Sequence, residues 1–131
     1  CAAPQMFNGP VSFLGYAAQT PARPGQQVEV ETCWQVVEQT GRPLSLMLHL
    51  VSSDGSARWV ADGLGVPVEQ WQVGDVIVQR HRIDLPPNAP AGRYQLLAGA
   101  YWLDTMERHV VLVNGQPAGD QLTLTQLEVR P

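Results

Sequence analysis

The chain has 131 residues, the size of one domain, which can bury roughly two-thirds of its unfolded surface in a single core. Hydrophobic residues make up 44% of the sequence and charged residues only 15%, which argues against a disordered chain. The net charge is −4 and the eight Lys/Arg positions are all scattered arginines, so we expect neither a nucleic-acid partner nor a polybasic lipid-binding patch.

The N-terminus suggests a link to a membrane, although no apolar run of the chain is long enough to span a bilayer. Cys1 stands at the start of the chain, as the lipid-carrying cysteine does in a mature bacterial lipoprotein. We therefore expect Cys1 to be the lipid attachment site and residues 1–10 to form a tether. The protein would then be exported and held on the outer side of the cytoplasmic membrane. The alternative is a cloning boundary that happens to fall at Cys1.

The first half of the chain alternates between apolar and polar residues, as β-strands with one buried face do. Strands are predicted over Val11–Ala17, Gln27–Val37 and Leu44–Ser52. The segment Thr20–Gly25, with two prolines and a glycine, is predicted to be the turn that ends the first strand.

Two of these strands have an outer face that is not simply polar. Cys33 lies opposite the core face that carries Trp34, so its thiol is covered by a neighbouring segment or a partner, or it pairs with Cys1. Lipidation of Cys1 would exclude that disulfide. In Leu44–Ser52 the leucines share one face, and the other face is less polar than a solvated face usually is: Ser45, Met47, His49 and Val51.

The second half of the chain continues with strands separated by turn signals. A hairpin at residues 53–56 leads to a short strand over Ala57–Asp62. Two apolar runs, Val76–Leu85 and Tyr94–Trp102, flank the proline-rich corner Pro86–Gly92, which no helix could cross. This pattern is typical of a chain that passes from one sheet of a sandwich to the other.

The remaining segments complete the predicted fold. Strands are expected over His109–Val113 and Gln121–Val129, with a hairpin turn at Asn114-Gly115 after the first. The total is about eight or nine strands and no helix. The sequence therefore predicts an all-β fold, an immunoglobulin-like antiparallel β-sandwich that forms a single domain over residues 11–131.

Short motifs follow one another in order along this domain: Leu14-Gly15-Tyr16, Arg23-Pro24-Gly25, Trp34, His49-Leu50, Asp54-Gly55, Asp62, Trp71 with Gly74-Asp75, His81-x-Ile83-x-Leu85-Pro86, Gly92-x-Tyr94-x-Leu96 and Gly99-x-Tyr101. Over roughly Phe7 to Val129 this series resembles an immunoglobulin- or fibronectin-like β-sandwich domain family of green non-sulfur bacteria. Members of that family are often appended to membrane glycosyltransferase-like proteins. The resemblance implies a β-sandwich, an exported location and an accessory role, and it brings no catalytic residues with it.

No residue pattern in the chain predicts catalysis. The three histidines, His49, His81 and His109, are far apart in sequence, so we expect structural roles rather than a metal site. Most carboxylates lie at turns, where aspartate caps the backbone, although Asp62 and Asp75 leave calcium as an alternative. The serines lack the Gly-x-Ser-x-Gly elbow. We therefore expect no enzyme activity, no metal and no cofactor.

The aromatic residues form the one suggestive set. Tyr94 follows the proline-rich corner, as in a tyrosine corner, where the hydroxyl ties down the connection between the sheets. The residues Trp59, Trp71, Tyr101 and Trp102 are candidates for an exposed platform that anchors a protein partner or stacks on sugar rings. The alternative is that these side chains fill the edge of the core.

These observations favour an interaction role over chemistry. We expect a non-catalytic extracytoplasmic module, a lipid-anchored accessory or structural subunit of a membrane or cell-envelope protein complex. The alternative function is a carbohydrate-binding module that uses exposed tryptophans. An enzyme would require a pocket that holds a cluster of close carboxylates.

Overall fold

The computed structural model describes residues 6–18 and 22–130, and its strands form three antiparallel sheets. The strands are β1 (Met6–Phe7), β2 (Val11–Ala18), β3 (Gln27–Val36), β4 (Leu44–Ser52), β5 (Arg58–Val60), β6 (Val76–Asp84), β7 (Gly92–Trp102), β8 (Val111–Val113), β9 (Gln116–Pro117) and β10 (Leu122–Val129). A single 3₁₀ turn covers Val68–Gln70 in this part of the chain. Within these ranges no helix is long and apolar enough to cross a membrane.

The core lies between a four-stranded sheet of order β10-β7-β4-β5 and a three-stranded sheet of order β2-β3-β6. The inward leucines Leu48 and Leu50 of the first sheet pack in one cluster with Val28 and Val30 of the second, and none of the four is more than 2% exposed. The third sheet, of order β1-β8-β9, adds to a second core cluster around Trp34. The predicted all-β, immunoglobulin-like antiparallel sandwich is confirmed, and the two-residue strands β1 and β9 are additions to the predicted set.

The chain crosses between the two main sheets at the proline-rich corner, as predicted. Strand β6 belongs to the three-stranded sheet and β7 to the four-stranded sheet, and residues 85–91 connect them. The Tyr94 hydroxyl donates a hydrogen bond to the carbonyl oxygen of Pro90 at 2.8 Å. This is the contact that a tyrosine corner makes, and it fixes the connection between the sheets to the beginning of β7.

A chain of buried hydrogen bonds joins β3 to the segment after β5. The Trp34 indole N–H donates to Thr32 Oγ1 at 2.9 Å, and Thr32 Oγ1 lies 2.8 Å from His81 Nε2. His81 Nδ1 lies 2.7 Å from the carbonyl oxygen of Ala61, which can only accept, so Nδ1 carries the proton and Nε2 accepts from Thr32. Burial holds the pKa of His81 below its usual value. His81 is thus a neutral, hydrogen-bonded link between the two sheets.

The segment before β2 packs on the sandwich. Phe7 is 3% exposed, its ring lies 5.5 Å from that of Trp34, and β1 pairs with β8. Gly9 lies so close to the His109 ring that a Cβ atom at this position would collide with the imidazole. Of the predicted tether 1–10, residues 6–10 thus run along the sandwich, and residues 1–5, with Cys1, lie outside the described residues.

His109 is the one buried histidine whose ring nitrogens have no hydrogen-bond partner among the described residues. It is 1% exposed, and its ring packs 4.5 Å from that of Trp102. Burial, with a smaller contribution from the charge of Arg42, lowers the pKa of His109 to about 4. The folded protein therefore resists protonation of this side chain, whereas the unfolded chain does not.

This difference predicts acid sensitivity that depends on His109. The unfolded chain binds a proton near pH 6.5 and the folded protein only near pH 4, so the free energy of unfolding falls as the pH drops between these values. Between pH 7.5 and 4.5 we expect a loss of about 2–3 kcal/mol from this residue. Urea denaturation of the wild type and of His109→Leu at both pH values measures it. An equal loss in both proteins would contradict the assignment.

Candidate functional site

Strand β4 is buried on both of its faces. The leucines face the core, and on the opposite face Ser45, Met47 and His49 are at most 6% exposed. Beyond β5 the chain stays alongside β4, because Leu46 and Gly63 exchange two backbone hydrogen bonds of 3.1 and 3.0 Å. This extension holds Asp62 at the rim of the outer face, next to the buried side chains.

Asp62 organises a polar cluster on this outer face. Its Oδ1 accepts from the Leu48 backbone N–H at 2.9 Å and lies 3.3 Å from His49 Nε2, and its Oδ2 accepts from the Tyr101 hydroxyl at 3.0 Å. Burial raises the pKa of Asp62, but the hydrogen bonds from His49, Leu48 and Tyr101 outweigh it, so the pKa lies below its usual value. Asp62 is therefore a half-buried anion held by three donors.

Arg58 fixes the protonation of His49. Its Nη1 lies 3.1 Å from His49 Nδ1. A guanidinium can only donate, so Nδ1 must accept, and the ring proton is on Nε2, where it points to Asp62. His49 is thus a neutral bridge between a cation and an anion. We infer this tautomer from the partners of the two nitrogens.

The cluster opens into a cleft of about 180 Å³. Arg108 enters it from the segment after β7, where the backbone of Arg108 pairs with that of Tyr101. Arg108 Nη1 lies 3.3 Å from Gln121 Oε1 and 3.5 Å from Asp120 Oδ1. The lining residues are Met47, His49, Asp62, Tyr101, Met106 and Arg108. The cleft thus combines a fixed anion, a cation and apolar side chains in a space the size of one small ring.

The candidate aromatic residues do not form a common platform. Trp71 is 3% exposed, lies in the core cluster of Trp34, and its indole N–H donates to the Val66 carbonyl oxygen at 3.1 Å. For Trp71 the alternative holds, that the side chain fills the core, because the irregular segment before β6 folds inward and carries it there. Half-buried Trp59 packs against Tyr94, with ring centroids 5.6 Å apart.

The other two members of the set lie apart. Trp102 packs between the His109 ring and the Arg42 guanidinium, whose Cζ is 4.3 Å from the indole centroid. Tyr101 alone faces the cleft, through its hydrogen bond to Asp62. The aromatic residues therefore do not share one exposed surface.

The side chains that do come together were not predicted as a site. His49, Asp62, Arg108 and Met106 are far apart in sequence, and only the weakly polar outer face of β4 pointed to a covered surface there. Asp75, considered with Asp62 for calcium, is engaged elsewhere and accepts from the Gln72 backbone N–H at 2.9 Å. The two carboxylates therefore have separate hydrogen-bond partners.

A second cleft, of about 190 Å³, lies at the end of the sandwich beside the turn after β4. Its carboxylate, Asp54, accepts from the hydroxyls of Ser56 and Ser52 and from the Ser56 backbone N–H. These hydrogen bonds lower the pKa of Asp54 to about 2. The donors to Asp54 all come from its own turn. The cleft on the outer face of β4 is the stronger candidate, because four separate segments of the chain bring its charged and apolar side chains together.

The Asp62 cluster predicts a stability effect at neutral pH. Asp62→Asn removes the charge and replaces one of the two acceptor oxygens by a donor, so at least one of the three surrounding donors loses its acceptor and the others lose the charge that strengthens their hydrogen bonds, at a cost of about 1–3 kcal/mol. Asp84→Asn is the matched control, since Asp84 is exposed and accepts one hydrogen bond, from Gln27 at 2.9 Å. Urea denaturation at pH 7 should separate the two variants. Equal stabilities would show that the cluster does not hold this part of the fold.

Comparison with known proteins shows the fold. The structure is similar to the crystal structure of the C-terminal domain of wzt, with a TM-score of 0.65, 15% sequence identity, and coverage of 97% of this chain and 77% of that one. The alignment with the structure of the ApaA protein from Bordetella pertussis has 16% sequence identity and covers 96% of this chain and 94% of that one, but the TM-score of 0.30 supports no conclusion. No family model matches the sequence, and no curated protein is significantly similar. The first similarity supports the β-sandwich fold and, at this identity, nothing further.

Proposed function

We propose that this chain is a non-catalytic carbohydrate-binding module that takes one sugar ring of a cell-envelope glycan into the cleft on the outer face of β4. The observation that carries the proposal is the Asp62 cluster, in which a fixed carboxylate, Tyr101 and Arg108 converge on one cleft. A small number of well-placed polar groups in a partly apolar cleft is typical of ligand sites.

The size and chemistry of the cleft suit a sugar. Its volume of about 180 Å³ is below the range of about 300–1,000 Å³ typical of sites for drug-sized ligands. Sugar hydroxyls both donate and accept hydrogen bonds, so they can use the acceptor oxygens of Asp62 and the donors of Arg108 together. In contrast to the alternative predicted from the sequence, the site uses no exposed tryptophan.

The state of Asp62 supports the role of a fixed acceptor over that of a general acid. A carboxyl group that acts as a general acid needs a raised pKa. The pKa of Asp62 lies below its usual value, and both of its oxygens already have hydrogen-bond donors. Such a group serves as a fixed acceptor for ligand hydroxyls.

We further propose that the module is exported and acts as a lipid-anchored accessory subunit on the outer side of the cytoplasmic membrane. The series of motifs over Phe7 to Val129 supports this role, because it resembles sandwich domains of exported accessory proteins. A bacterial envelope glycan would then be the ligand within reach.

A second function, docking on a protein of the same assembly, is favoured by a different surface. Val76 and Val78 lie on the outer face of β6 and are 58% and 52% exposed, next to Cys33 on β3. The ion pairs Arg80–Glu31 and Arg82–Glu29 continue along the same two strands. Apolar side chains beside a charged rim are typical of protein interfaces.

Binding to an array of bacterial surface polysaccharides tests the first proposal. We expect the wild type to bind a subset of the glycans, and Arg108→Ala to bind them at least about tenfold more weakly, since a charge-assisted hydrogen bond is lost. Arg82→Ala is the matched control, because this arginine also forms one surface ion pair but lies on the other sheet. No binding by the wild type, or equal weakening by both variants, would refute the site.

Recovery of partner proteins from native membranes tests the second function, docking on a protein through the outer face of β6. Val78→Glu places a charge in the apolar patch and should reduce the recovery of a stoichiometric partner by about tenfold or more. Val113→Glu, at a 50% exposed valine of β8, should leave recovery unchanged. Equal recovery with Val78→Glu and with the wild type would rule out docking through this face.

A further inference from the structure

Met106, on the rim of the cleft, has a backbone conformation that is unfavourable for its side chain. Its φ is +62°, in the left-handed region that favours glycine. Asn114 is the other described non-glycine residue with a positive φ, and asparagine tolerates this region well. The Met106 side chain is 63% exposed and lines the cleft with Asp62 and Arg108.

The loop that carries Met106 is held in place from outside. Within the loop, the Met106 N–H donates to the Trp102 carbonyl oxygen at 2.7 Å. From the segment before β4, the Arg42 guanidinium donates to both carboxylate oxygens of Asp104, at 2.8 and 2.9 Å, and lies over the Trp102 ring. A strained residue persists where its surroundings over-determine its conformation, and such residues cluster at ligand-binding positions.

We propose that Met106 contacts the apolar C–H face of the bound sugar ring, in the role that an aromatic platform fills in other carbohydrate sites. This inference rests on the proposed carbohydrate-binding function and assigns it a residue. The loop, held by Arg42, keeps the thioether at the rim while Asp62 and Arg108 meet the hydroxyls. A methionine is polarizable and adaptable, which suits it to cover a ring without a fixed stacking plane.

The assignment explains why a glycine does not occupy position 106. Glycine would relieve the backbone, and nothing in the hydrogen bonds of the loop requires a side chain there, because the Met106 contact is made by its N–H. Met106 is 63% exposed, so its side chain adds little to the core. A contact with a ligand at the cleft accounts for a side chain at this position.

Three variants separate strain from binding. Met106→Gly should raise Tm by about 2–4 °C through relief of strain and lower glycan affinity about tenfold. Met106→Ala keeps the strain and removes the thioether, so it should lower affinity similarly without raising Tm. Asn114→Gly, in the hairpin between β8 and β9, should change neither quantity appreciably. Thermal unfolding gives Tm, and the protein concentration at half-saturation on the same polysaccharide array gives the affinity.

The outcomes distinguish this inference from the proposed function. If the wild type binds glycans and both Met106 variants bind equally well, the role of Met106 is overturned while the function stands. If Met106→Gly does not raise Tm, the strain is not stored at this residue and the inference fails on that ground. If the wild type binds no glycan, the proposed function fails and the ligand contact of Met106 fails with it.

Discussion

The burial of β4 on both faces is the constraint on which much of this structure depends. One face is made of leucines in the core, and the opposite face carries Ser45, Met47 and His49 under a cover of later segments. Beside it, on β7, Gly99 lets the backbone of Asp120 and Gln121 pass close by, since a Cβ there would lie 3.3 Å from the Asp120 carbonyl oxygen. An outer face covered in this way must satisfy its own polar groups.

Asp62 meets that requirement and shapes the surface in doing so. It accepts from the β4 backbone at Leu48 and faces the His49 ring, which Arg58 contacts on its other nitrogen. Tyr101 completes the cluster from β7. The same hydrogen bonds that allow polar atoms to be buried on an outer face also fix the groups that line the cleft, so stability and the proposed binding role arise from one arrangement.

The fold could be predicted from local patterns, whereas the site could not. Alternation along β3 and β4 and the prolines after β6 are properties of short segments, so strands and sheet crossing follow from them. The hydrogen bond between Tyr101 and Asp62 joins residues 39 positions apart, and no periodicity specifies such a pair. The sequence left open whether Trp71 is buried or exposed, because Trp71 lies in an irregular segment, where alternation does not indicate which way a side chain points.

The central claim is that the outer face of β4 is the ligand surface. The most direct test is to titrate the protein with an oligosaccharide from the best-bound polysaccharide and to map the changes in backbone amide chemical shifts. If this face binds the ligand, the shifts of Asp62, Tyr101, Met106 and Arg108 change together on titration. Those of Val76 and Val78, on the other sheet, do not respond. Changes confined to β3 and β6, with the Asp62 cluster unaffected, would contradict this claim.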